Sequence, residues 1–273
     1  MKEKDNMQRI DVSKLDFLRI EPRGKAVNEK FWVIDNGVKK LVKVSNNSDQ
    51  DIMEHLTSVI LKKLNISCVD VQLGYDLYAR HNCCLITNFL IDEADVSYDI
   101  LEWIPIKDNT KEKELHLCFE QIFNKFFSLN MISKDNGEQL KKQYIRILFG
   151  KCLTENIDAK LENIGLIFNE KTKQYRLPPS YDNGFSFNSF KSIGIPYCCV
   201  GYQYFEIPDI INYIVDNYFE FVDDIIVNLD NFIEELDNIL INYEIKEEKK
   251  KYIMEYIKNM YEYIKTRKEI KCK

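Results

Sequence analysis

The residues of this chain best suited to chemistry lie in two short stretches, Asn156-Ile157-Asp158-Ala159-Lys160-Leu161-Glu162-Asn163 and, further on, Tyr181-Asp182-Asn183-Gly184. Phosphoryl transfer asks little covalent work of a protein. Oxygen ligands for magnesium, a cation on the phosphates and a carboxylate that orients the attacking hydroxyl are enough. Asp158 and Asn163, in a loop expected to leave a helix and enter a strand, offer a carboxylate for the acceptor and an amide oxygen for the metal. Asp182 offers a second carboxylate. If the intervening hairpin turns near Thr172, residues equidistant from it pair, so Asn163 lies opposite Tyr181 and Asp182 falls just beyond the strand end. Gly184 then fits a backbone that turns sharply away from a metal site.

The cation is best assigned to Lys43. It ends the run Lys40-Leu41-Val42-Lys43-Val44, and strand alternation points it to the face opposite Val42 and Val44. Lys39 and Lys40 are less favoured. Glu54, near the start of the following helix, can pair with Lys43 and hold it towards the phosphates, as a helix carboxylate does in kinases.

The elements that must position these groups follow from periodicity. Lys30-Phe31-Trp32-Val33-Ile34 and residues 40–44 are alternating runs around Asp35-Asn36-Gly37, a hairpin signal. Ile52, Leu56, Val59, Ile60 and Leu64 recur at helical spacing, with Asn65 as terminator. Residues 69–73 and 84–89 read as two further strands with a turn around 80–82. Residues 112–131 and 138–153 are long amphipathic helices, followed by one hairpin, 164–168 with 175–177, and then helix from 209 to the end. The expected fold class is α+β. Its β-rich part, residues 1–92, has one helix; residues 93–273 are mostly helical and carry the catalytic loop and the metal-binding hairpin.

At 273 residues, 45% hydrophobic and 30% charged, the chain has the composition of a globular protein able to bury its own core. A net charge of −6 argues against direct nucleic-acid binding. The opening Met1-Lys2-Glu3-Lys4-Asp5-Asn6 has no apolar signal core, and no apolar run of roughly eighteen residues follows. A cytoplasmic protein without a membrane partner is expected. The eight cysteines show no Cys-x-x-Cys spacing and read as small buried hydrophobes. Tyr197, Tyr202, Tyr204 and Phe205 read as packing in a helical lobe, and the lysine-rich end from Lys246 as a solvated helix face.

These residues resemble the HipA-like (high-persistence) serine/threonine kinases, whose helical lobe carries Asn-x-Asp-x-His-x-x-Asn and, after a hairpin, Ala-Pro-x-Tyr-Asp. The corresponding segments here are Asn156-Ile-Asp158-Ala-Lys160-Leu-Glu-Asn163 and Pro178-Pro179-Ser180-Tyr181-Asp182. Compact members of the family are also similar in Gly24-Lys25, Lys30-Phe31-Trp32, Leu41-Val42-Lys43, Glu54-His55-Leu56 and Leu64-Asn65-Ile66. The resemblance covers about residues 23–187. It implies a two-lobed protein-kinase-like fold using ATP and Mg2+, with Asp158 as catalytic base and Asn163 and Asp182 as magnesium ligands. Lys43, paired with Glu54, would bind phosphate, Gly24 and Lys25 would lie in the phosphate loop, and Thr87, Asn88, Phe89 and Leu90 would form the hinge at adenine. It further implies a protein substrate, an antitoxin-like partner protein in a toxin–antitoxin setting, and a compact member lacking the extra N-terminal domain. The family histidine is Lys160 here, and no serine stands near Gly24. Two other readings fit the same residues: a decayed nucleotide-binding interaction module, and a kinase acting on a lipid or small molecule.

Overall fold

The computed structural model describes residues 8–19, 29–45, 48–78, 80–98, 114–129, 134–160, 163–188, 195–201 and 203–271, with backbone only at 134–136, 270 and 271. Gly24, Lys25 and Tyr202 lie outside the described residues.

The N-terminal lobe is a six-stranded sheet. Its strands are β1 (Ile10–Asp11), β2 (Asp16–Leu18), β3 (Lys30–Asp35), β4 (Val38–Ser45), β5 (Val71–Asp76) and β6 (His81–Thr87), in the order β1-β5-β6-β4-β3-β2. All neighbours are antiparallel except the β1–β5 pair. The β3–β4 turn is the Asn-Gly pair read from the sequence. Asn36 and Gly37 both have positive φ, 50° and 79°, the two-residue geometry whose twist matches that of the strands. This turn fixes the register in which Lys30 lies opposite Lys43. Helix α1 (Gln50–Lys63) follows β4. It ends in a Schellman motif: Asn65 takes φ 59°, Ile66 N–H donates to Leu61 O at 2.8 Å and Asn65 N–H to Lys62 O at 3.0 Å. The turn before β6 falls earlier than expected, because His81 is already paired with Asp76.

The C-terminal lobe contains α2 (Leu115–Leu129), α3 (Lys134–Leu153), α4 (Ile207–Asn217), α5 (Asp223–Leu240) and α6 (Glu247–Lys271). A three-stranded sheet, β7 (Asp95–Tyr98), β8 (Leu166–Asn169) and β9 (Gln174–Arg176), lies beside them. The sequence reading expected one hairpin in this lobe, and the structure has two, the second being β10 (Tyr197–Val200) with β11 (Gln203–Glu206). That expectation failed because Cys198 and Val200 of β10 join the helical core while Cys199 between them is buried too, so the short apolar run lacks a strand's alternation. Tyr197 and Tyr204 are not packed inside but stand 47% and 45% exposed.

One apolar core joins the lobes. Ile52, Met53, Leu56, Ile60, Leu61 and Leu64 of α1 belong to the cluster built from Phe119, Phe126, Tyr144, Phe149, Ile211, Leu229 and Ile257 of the helical lobe. The sheet's own clusters are smaller: Val12, Val33, Val42, Cys83 and Leu85 on one face, and Val69, Val71, Cys84 and Ile86 on the other. The lysine-rich α6 exposes Lys251, Lys258 and Lys265 as expected, but Lys249 and Lys250 are largely covered, and the helix buries Ile253, Ile257, Met260 and Ile264 along one stripe. Among the described residues, no helix is long and apolar enough to cross a membrane.

Phe119 sits at the centre of the helical core, fully buried and in ring contact with Phe123, Tyr144, Tyr213 and Tyr218. Phe119→Ala is expected to destabilise the protein by about 3–5 kcal/mol, read from the urea unfolding midpoint.

Candidate active site

Alternation along β4 buries Val42 and Val44 under the sheet and turns Lys43 to the opposite face, towards α1. The Lys43 ammonium lies 2.6 Å from Asp182 Oδ1 and 3.4 Å from Glu54 Oε2. Its side chain is 14% exposed and that of Glu54 only 2%. Burial opposes the charge on Lys43, but Glu54 and Asp182 outweigh it and hold the ammonium's pKa above its ordinary value. Burial would likewise raise Asp182; the charge and hydrogen bond of Lys43 prevail and bring it down to about 2. Glu54 completes the arrangement by accepting the Asn183 N–H at 2.8 Å on its other oxygen.

The Asp158 loop begins where α3 ends. Glu155 takes φ 47°, Asn156 N–H donates to Lys151 O at 2.8 Å and Glu155 N–H to Cys152 O at 3.1 Å, a second Schellman closure. Glycine usually holds such a position. Here the glutamate is held in it by Tyr252 of α6, whose hydroxyl donates to the buried carboxylate at 2.7 Å. The turn delivers Asn156 into the loop, fully buried, where its Nδ2 donates to Asn183 Oδ1 at 3.2 Å and Asp182 O at 3.4 Å. Its Oδ1 accepts the Asp158 N–H at 3.0 Å. Asn156 thus couples the Asp158 and Asp182 loops.

The Asp158 carboxylate accepts from Asn163 Nδ2 at 2.8 Å on one oxygen and lies 3.1 Å from Lys160 Nζ on the other. Asn163 Nδ2 also donates to Asp158 O at 2.9 Å, so these two loop contacts are made by the amide nitrogen of Asn163 and not by its oxygen. Asn163 and Asp182 are brought into neighbouring loops, but not by the hairpin pairing expected from the sequence. The β8–β9 ladder stops at Ile167 and Arg176. Beyond it Leu177, Pro178 and Pro179 leave the sheet, prolines having no N–H for a ladder, and Ser180 pairs instead with Cys68 of the other lobe. Gly184 also differs from expectation: the positive φ, 55°, is at Asp182. At Gly184 a Cβ would lie 3.4 Å from Gln50 O and Glu54 Oε2.

The expected hinge residues continue from β6. Asn88 N–H donates to Lys39 O at 3.0 Å, and the Asn88 side chain accepts from Leu90 N–H at 3.3 Å. Phe89 packs against Tyr181 with ring centroids 5.2 Å apart, and its carbonyl accepts from Arg176 at 3.1 Å. Lys40 is buried and paired to Asp35 at 2.5 Å, and Lys39 lies over Trp32, so neither competes with Lys43.

Three residues escaped the sequence reading. Lys30, directly opposite Lys43 on the same face, is half-buried, and among the described residues it has no hydrogen bond or ion pair. Burial, and next the charge of Lys43, lower its pKa. Its place was legible, because Lys30 and Lys43 are equidistant from Asn36-Gly37. Asn156 was read without a role. Lys151 carried no signal, since nothing in its neighbourhood of α3 marks it as different from the helix's other lysines.

This α+β arrangement of two lobes has the fold seen in solved kinases, HipA among them. The chain is similar over 97% of its length to the crystal structure of the Helicobacter pylori proinflammatory kinase CtkA, with a TM-score of 0.71, 14% identity and 99% of that chain covered. It is also similar to a chain of the Shewanella oneidensis MR-1 toxin–antitoxin complex of HipA, HipB and operator DNA, at a TM-score of 0.61 and 13% identity. There 94% of this chain and 68% of that one are covered. No protein-family model matches the sequence, and no curated protein matches it.

Because Asp182 has its pKa depressed in the folded state, it contributes stability that is complete above about pH 4 and is lost as pH falls towards about 2. The wild type is therefore expected to lose more stability between pH 4 and pH 2 than Asp182→Asn, compared by thermal melts in matched buffers.

Proposed function

We propose that this protein is a serine/threonine protein kinase that transfers a phosphoryl group from ATP to a cytoplasmic protein. The single observation that carries this reading is the meeting of Lys43, Glu54 and Asp182 from three separate elements, beside a loop that presents Asp158 and Asn163. Lys43 and Lys30, which has no ion pair among the described residues, are the cations for the phosphates, residues 1–92 forming the phosphate-binding lobe and 93–273 the catalytic one. Adenine would lie at Thr87, Asn88, Phe89 and Leu90, near the apolar cluster of Val71, Ile86, Leu41 and Tyr181. Gly24 and Lys25 are proposed to cover the phosphates.

The donor set suits magnesium. Among the described residues no group of three or more His, Cys, Asp or Glu side chains could hold a metal, but Mg2+ needs only one or two protein oxygens when phosphates and water supply the rest. Asp182 and the amide oxygen of Asn163 would be those oxygens. The ion would neutralise charge on the transferring group. Asp158, aligned by the Asn163 and Lys160 side chains, would accept the proton of the acceptor hydroxyl. A toxin–antitoxin role with an antitoxin-like partner is supported by the likeness to the HipA, HipB and operator DNA complex.

The contact between Lys160 and Asp158 favours one other reading. The Lys160 ammonium, 3.1 Å away, occupies one oxygen of the carboxylate that would have to take the proton, as a nucleotide-binding module that no longer turns over would allow. Asp158→Asn separates the two. In a kinase, phosphate transfer to a serine-containing protein acceptor from labelled ATP should fall by about 10²–10⁴-fold with nucleotide binding retained. Wild-type binding without any transfer would establish the module instead.

A further inference from the structure

Lys151 is one of the largest fully buried side chains of the molecule, and none of the roles above uses it. It lies in the last turn of α3, where a lysine commonly offsets the carbonyls of a helix end. The carbonyls of Gly150, Lys151 and Cys152 already have partners. The two Schellman hydrogen bonds reach Lys151 O and Cys152 O, Tyr256 OH donates to Cys152 O at 2.7 Å, and Thr154 Oγ1 donates to Gly150 O at 2.9 Å. The Lys151 ammonium points elsewhere, donating at 2.7 Å to the carbonyl of Tyr181, the residue before Asp182. Burial lowers its pKa, and the charges of Asp182 and Glu54 act most strongly against that shift. Burying an ammonium without a carboxylate in direct contact is expensive, and an apolar side chain of similar volume would fill the space without that penalty. The charge is therefore the feature to explain.

The loop shows what it does. Each residue from Ser180 to Asn183 is gripped from outside: Ser180 N–H by Ser67 O, Tyr181 O by Lys151, Asp182 O by Asn156 and Asn183 N–H by Glu54. Lys151 provides the only full positive charge among these four anchors, immediately before a residue held at φ 55°. We propose that Lys151 is a positioning residue, whose charge behind the loop fixes the Tyr181 carbonyl and so aims the Asp182 carboxylate into the cleft. It also balances one of the two carboxylates, so that Lys43 is not held by both alone and stays available to phosphate. This inference rests on the phosphoryl-transfer reading and deepens it.

The test uses the full chain with Lys151→Met, which keeps the volume, and Lys151→Gln, which keeps a polar end without charge. In each folded variant kcat is expected to fall at least tenfold and the half-saturating magnesium concentration to rise at least threefold, with KM for the protein acceptor changed by less than twofold. In an Asp182→Asn background, Lys151→Met should leave the magnesium dependence of ATP-analogue binding unchanged, whereas a merely structural lysine would perturb both backgrounds alike. Wild-type kcat and magnesium dependence in either folded variant overturns the inference. If neither variant folds, the 15N resonance of the Lys151 ammonium in the wild type is read instead: a shift on adding magnesium with a non-hydrolysable ATP analogue supports the role, and an unmoved resonance overturns it. Wild-type protein that neither binds nor turns over magnesium ATP would overturn the phosphoryl-transfer reading itself.

Discussion

The ammonium of Lys43, buried between two carboxylates that arrive from different parts of the chain, is the interaction on which the rest of the structure depends. Such a group is stable in a folded interior only when its partners are held in place, because a misplaced buried charge costs more than the pair returns. Glu54 is held because α1 shares its apolar face with the helical lobe rather than with the sheet alone. Asp182 is held because every residue around it is anchored from outside the loop. The two lobes are therefore tied at the proposed phosphate site.

The C-terminal helices do the holding at longer range. Tyr252 of α6 fixes Glu155 in the conformation that ends α3, and Tyr256 takes the carbonyl of Cys152 in the same turn. Lys249 reaches Asp49 at 2.7 Å, at the start of α1, while Tyr243 lies 2.8 Å from His55 on that helix. Arg146 of α3 gathers Asp224, Phe221 O and Asn65 O, joining the end of α1 to α5. Residues far along the sequence thus set the positions of both loops and of Glu54. The surface pairs among them add little energy individually; their effect is to fix orientation.

The cysteines illustrate how burial replaces chemistry. All seven described are free, and burial pushes the thiols of Cys68 and Cys83 up to about 11 and 12, far from the thiolate that reactivity requires. They fill the sheet and the loop junctions as small hydrophobes. Cys68 does so next to the Ser180 to Asn183 segment, its Sγ donating to Ser180 O at 3.1 Å.

The sequence by itself determined what depends on neighbours along the chain. Asn36-Gly37 dictates a tight hairpin, the apolar spacing from Ile52 dictates α1, and alternation dictates that Lys43 turns away from Val42; with the turn known, even Lys30 opposite Lys43 was readable. The α+β order and the candidate residues Lys43, Glu54, Asp158, Asn163 and Asp182 follow from such local rules and from the resemblance they allow. Only the tertiary structure decided how the loops meet. The ladder expected to place Asn163 opposite Tyr181 ends at Ile167 and Arg176, and Asn156 and the Ser180 bridge to Cys68 take over its task. The second hairpin, the left-handed Asp182 and the buried Lys151 were equally out of reach. Each is decided by what packs against it from a distant segment, and a lysine in a helix reads the same whether its ammonium faces water or a buried carbonyl.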